Sequence, residues 1–163
     1  MTATPAAKRK PFIVAGGLAL GIELIGGFLT DIGPWYNGLI KPAWQPPGWL
    51  FGPVWTILFG MIAVSAAIAW LSARNAQERR NIVLLFLFNG CVNVLWSALF
   101  FSVKRPDWAL YEVAALWGSV LVLILATWSR SRLASVLLMP YLAWVSFAAF
   151  LNFTIVRINP PFG

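Results

Sequence analysis

The chain has 163 residues, of which 60% are apolar and only 10% charged, and it carries a net charge of +7. A soluble domain usually carries about a quarter charged residues, so a water-facing globule is excluded, and the positive balance reads as loop anchoring at anionic lipid, not as nucleic-acid binding. The absence of His and the presence of one cysteine, Cys91, exclude an intramolecular disulfide, a thiolate metal cluster and the commonest zinc or haem ligand.

Residues 1–11 form a basic tail ending in Lys8, Arg9 and Lys10. The apolar run behind it is too long for a signal-peptide core and lacks a small-residue cleavage site, so it is expected to remain as span 1, about residues 12–31. Gly17 and Gly21 make a GxxxG pattern that permits close helix approach, either within the chain or in a dimer. Gly26 and Gly27 extend the small surface. Glu23 is a near-central carboxylate, and an ionisable residue in a span is a functional candidate.

Residues 32–52 are the one long connector, with four prolines, four glycines and three tryptophans. Proline fixes φ and glycine admits tight turns, so a defined path is expected. Trp35, Trp44 and Trp49 either sit at headgroup level or face a ligand from a lid over the bundle.

Further spans are expected at about 53–73, 81–103, 108–129 and 134–156, because charge-free runs cover most of each and a crossing helix needs roughly 20 apolar residues. Short connectors force neighbouring spans to run antiparallel. The fold class is therefore an all-α membrane protein: one five-helix bundle over residues 12–159, followed by a 160–163 tail. Trp108 and Trp128 bracket span 4 at the separation of an interfacial aromatic belt, and Glu112, one turn from Trp108, reads as solvated. Pro140 should kink span 5 or mark an irregular first turn. The N-terminus and the second and fourth inter-span loops hold eight Lys and Arg against four on the opposite side, which predicts a cytoplasmic N-terminus. No internal repeat is visible.

Three spans carry stripes at helical spacing: Trp55, Phe59, Ile62 and Ala66; Asn89, Asn93, Trp96 and Phe100; Tyr141, Trp144, Ala148 and Asn152. Polar groups at membrane depth normally turn inward. They can bond helix to helix while the rings fill the core, or they can line a pocket. Flat rings relieved by a few amides suit a large planar apolar ligand such as a porphyrin or a sterol. Without His, a haem would be held by its faces and propionates, the latter by Asn side chains or a loop cation such as Lys41.

Several segments resemble one family, the tryptophan-rich sensory proteins and mitochondrial translocator proteins (peripheral benzodiazepine receptors), and the chain is similar to its bacterial members. They are Trp35-Tyr36; Lys41-Pro42-Ala43-Trp44-Gln45-Pro46-Pro47-Gly48-Trp49; Pro53-Val54-Trp55-Thr56; Asn93-Val94-Leu95-Trp96 with Phe100-Phe101; and Pro140-Tyr141-Leu142-Ala143-Trp144 through Leu151-Asn152. The resemblance implies a homodimeric five-helix membrane receptor or sensor that binds porphyrin or haem as ligand, not as an obligatory cofactor. It also implies binding of benzodiazepine-type ligands and possible roles in porphyrin transport. The pocket positions it implies are Trp44, Trp49, Trp55, Asn93, Trp96, Trp144 and Ala148, with Trp55 and Trp144 as candidates for light-dependent porphyrin breakdown and Gly17 and Gly21 for the dimer. Leu151 to Arg157 lacks the Tyr of the family's sterol motif, which implies at most weak sterol binding. The resemblance is compatible with a bacterial cytoplasmic or outer membrane, and the uncleaved first span favours the former. No hydrolytic or metal site is visible. The alternative from a different class is a small proton-coupled exporter of aromatic cations using Glu23.

Overall fold

The computed structural model describes residues 5–162, with side chains from Arg9 onward. The tails expected at 1–11 and 160–163 therefore lie partly outside the described residues. The chain forms α1 (Pro5–Leu29), α2 (Pro34–Gly38), α3 (Gly48–Ser72), α4 (Ala76–Ser97), a π-helical turn (Ala98–Ser102), α5 (Pro106–Trp128), α6 (Arg132–Val136) and α7 (Met139–Ile158). Five stretches are long and apolar enough to cross a membrane: Arg9–Leu29, Gly48–Ser72, Ala76–Ser102, Pro106–Trp128 and Arg132–Ile158. This is an all-α, multi-pass membrane fold.

Each boundary has a local cause. The first helix starts at Pro5, so Lys8, Arg9 and Lys10 ride on it and are not a separate tail. Asn75 caps α4 by accepting the Glu78 amide at 2.9 Å, while the Glu78 carboxylate accepts the Arg74 amide at 2.8 Å. Such reciprocal bonds satisfy donors the first turn leaves open. Pro106 occupies the first turn of α5, where its missing N–H costs nothing. Pro140 does the same for α7, and the fifth span is accordingly broken into α6 and α7 at Leu137 and Leu138.

In the bundle α1 packs against α3 and α4, α5 packs against α4 and α7, and α3 reaches α4, α6 and α7. The central core is apolar, with Leu58, Ile62, Leu116, Val120, Leu123 and Val145 buried together. Hydrogen bonds at membrane depth run between helices. Asn89 donates to Ser119 at 2.8 Å, Tyr141 donates to Asn89 at 3.3 Å, and Asn93 donates to the Tyr141 oxygen at 3.1 Å. Asn152, with its amide turned to suit its neighbours, donates to the Pro106 carbonyl and accepts the Leu110 amide, tying α7 to α5.

The two ends differ. At one end Arg130 pairs with Glu78 at 2.6 Å, bringing the second and fourth inter-span loops together. At the other, the long connector is pinned to the end of α7. There the Asn159 side chain accepts the Ile40 amide at 2.8 Å and donates to the Ile40 carbonyl at 2.9 Å. Rings mark both borders: Arg105 lies 4.4 Å from the Trp108 ring centre and Arg132 lies 5.7 Å from that of Trp128.

Candidate functional site

Beneath the long connector the helices do not close on one another. A cavity of about 500 Å³ remains, within the range of small-molecule sites. Its walls come from α1, α3, α7, the end of α4 and the π turn, and its roof from Ile32, Tyr36 and Asn37. Aromatic rings supply most of the lining. Trp96 stacks on Phe100 with centroids 5.2 Å apart, Trp55 leans on Phe59 at 5.6 Å, and Phe51 meets Trp144 edge-on at 5.6 Å.

The π turn accounts for an unusual feature of this wall. Val103 donates to the Ala98 carbonyl at 2.8 Å, five residues back, which widens the helix. Successive α-helical residues diverge by about 100°, yet Phe100 and Phe101 both line the cavity. Phe101 is therefore a wall residue that stripe spacing does not find, whereas Phe51, four residues before Trp55, extends the α3 stripe into the stretch read as connector.

Polar groups are few and distinct in state. Thr56 of α3 donates to the Glu23 carboxylate of α1 at 2.5 Å, and both line the cavity. Asn152 is also on the wall, with its amide engaged by α5. The indole nitrogens of Trp96 and Trp144 are buried and have no acceptor among the described residues. A buried donor without a partner costs about 1–3 kcal/mol, so both N–H groups call for an acceptor from something else. In the roof, burial pushes the Tyr36 phenol up from its usual value, partly offset by the Gln45 amide.

The expected site residues divide in two. Trp55, Trp96, Trp144 and Ala148 come together on the cavity wall. Trp44, Trp49 and Asn93 do not line it. Trp44 stacks on Phe150 at 5.2 Å on the outside of α7, and Trp49 is 73% exposed in the first turn of α3. Asn93 is buried behind the wall with its amide on Tyr141. Lys41 is also removed from the site, since its ammonium donates to the Tyr36 carbonyl at 2.7 Å and lies 4.5 Å from the Tyr36 ring centre. Glu112 is not solvated: both carboxylate oxygens are buried without a partner. Neighbouring Tyr111 takes the outward position instead, 81% exposed. Among the described residues no group of three or more His, Cys, Asp or Glu gathers as a metal site would need.

The model of the TspO/MBR family matches residues 13–158, from the first span to the end of the last. The chain belongs to this family. Similar TspO/MBR members include the Tryptophan-rich protein TspO of Chlorobaculum tepidum, 42% identical over 146 residues, which are 88% of this chain and 92% of that relative. The Translocator protein of Sus scrofa is 35% identical, covering 91% of this chain and 92% of its own. The Translocator protein of Homo sapiens is also 35% identical, over 77% of this chain and 75% of its own. The family and the five apolar helices together make this a multi-pass membrane protein of the TspO type.

Proposed function

We propose that the cavity is a tetrapyrrole site and that the chain is a porphyrin-binding receptor or sensor. The observation that carries this reading is the pair of orphaned indole donors, Trp96 and Trp144, set in an otherwise aromatic and largely apolar wall. A flat apolar ring with carboxylate side chains matches both halves of that surface: its faces stack on the indoles and phenyls, and its acceptors take the two N–H groups. Among the described residues no His, Cys or Met lines the cavity, so stacking, not axial ligation, is what the wall offers, and metal-free porphyrin fits as well as haem does. Benzodiazepine-type ligands, flat and rich in acceptors, suit the same surface. Trp144→Phe and Trp96→Phe should each weaken protoporphyrin binding about tenfold, the loss expected for a hydrogen bond to a charged acceptor. The measurement is quenching of the remaining tryptophan fluorescence. Titrations unchanged in both variants would remove the cavity from the function.

The Glu23–Thr56 pair favours a second reading, proton-coupled export of an aromatic cation, because it sets a carboxylate against the aromatic wall. Glu23→Gln separates the two: lost release of an aromatic cation with protoporphyrin binding intact favours export, and unaltered release removes it.

Surface features support a reading of assembly and placement. A homodimer through the face holding Gly17 and Gly21 is supported by the open space beside both, no atom lying within 4 Å of where a Cβ would sit. An orientation with the N-terminus on the cytoplasmic side is supported by the excess of Lys and Arg at that end.

A further inference from the structure

A second cavity, of about 330 Å³, lies between α1, α3 and α4 on the other side of Phe59, which lines both. Its character is different. Small residues give it depth: Ala15, Ala63 and Ala66 on two helices, and Gly90 on the third, where an added Cβ would collide with Ile22. Among the described residues Asn89 is the one amide on its lining, and it is already bonded to Ser119. Away from its mouth the groove thus presents mostly hydrocarbon among the described residues, and its half-exposed edge residues Val14 and Leu18 face outward from the bundle.

Length and charge identify what would fill it. From Lys10 to Ile22 the α1 wall rises about 18 Å, roughly the depth of one leaflet of a hydrocarbon core about 30 Å thick. The mouth is cationic. Lys10 lines it, and the Arg79 guanidinium lies 4.5 Å from the ring centre of Trp70, another lining residue. The acid of this end, Glu78, is engaged by Arg130 and the Arg74 amide, leaving Lys10 and Arg79 to attract an anion.

We propose that this groove is a binding site for an anionic phospholipid of the adjoining leaflet, one acyl chain lying between α1, α3 and α4 and the phosphate meeting Lys10 and Arg79. The site is separate from the aromatic cavity and does not depend on what that cavity binds.

Native mass spectrometry of the full chain in detergent, with phosphatidylglycerol and phosphatidylcholine of identical acyl chains, tests it. The wild type should retain one phosphatidylglycerol under conditions that strip phosphatidylcholine. Lys10→Gln should weaken that retention about fivefold, the effect of one cation near a lipid surface, whereas Lys104→Gln at the opposite end should leave it unchanged. Ala66→Phe, which fills the groove, should abolish it while helicity by circular dichroism is kept. Equal retention of the two lipids by the wild type would overturn the proposal, as would equal losses from Lys10→Gln and Lys104→Gln. Should Ala66→Phe fail to fold, the pair of lysine variants decides the matter alone.

Discussion

Among the buried polar residues, Tyr141 takes part in two interhelical hydrogen bonds through one hydroxyl. It is 1% exposed, and its hydroxyl joins Asn89 and Asn93 of α4 to α7. Tyr141→Phe keeps the ring and removes the link, so it should cost about 0.6–2 kcal/mol, the range of interhelical hydrogen bonds in membranes, read as a lower melting temperature in detergent. The stripe spacing of Asn89, Asn93 and Asn152 shows that they face inward, but a helical face serves a ligand and a neighbouring helix equally well. Only the position of Tyr141 on a different span decides that Asn93 bonds to protein. Glu112 shows the same limit from the other side. Its distance from Trp108 along the chain suggests the interface, but rotation about the helix axis turns it inward and Tyr111 outward.

Helices are read from composition more securely than their irregularities are. Four charge-free runs and a fifth holding only Glu23 locate five spans because a bilayer admits little else, and Pro140 marks the irregular start of α7 because its ring cannot supply a ladder donor. The π turn leaves no such trace. It adds one residue to a turn without altering residue type, so the paired inward placement of Phe100 and Phe101 is invisible to any periodic pattern. Just beyond it, Lys104 has φ 59°, a left-handed conformation that L side chains rarely adopt. It closes the tight turn in which Arg105 donates to the Leu99 carbonyl at 3.0 Å. Such a conformation costs a residue with a Cβ about 1–2 kcal/mol. Lys104→Gly should therefore stabilise the chain by about 1 kcal/mol, seen as a raised melting temperature with unaltered helicity.

At the scale of the molecule, the cavity exists because its roof is held from a distant part of the chain. The connector's prolines and glycines make a shaped path legible in the sequence, and the Lys41–Trp49 motif marks it as distinctive. Its anchoring is not legible: Asn159 lies 119 residues from Ile40, and nothing in either segment announces the pair. The geometry also redistributes roles within the loop. Tyr36 and Asn37 form the roof, while the conspicuous indoles Trp44 and Trp49 lie outside the cavity. Roof stability and wall chemistry should then separate kinetically. Asn159→Ala removes both bonds to Ile40 and one to the backbone carbonyl of Ile155 on the wall, and leaves the ring-bearing wall residues in place. A ligand held under a loosened roof escapes faster, because affinity changes within one site fall mostly on dissociation. Stopped-flow release of protoporphyrin should accelerate about tenfold in Asn159→Ala, matching roughly 1.4 kcal/mol lost from the closed roof, while the fluorescence change at saturation stays as in the wild type because Trp96 and Trp144 still meet the ring. An unchanged release rate would mean that the ligand leaves between the helices, past Glu23 and Thr56, and not through the roof.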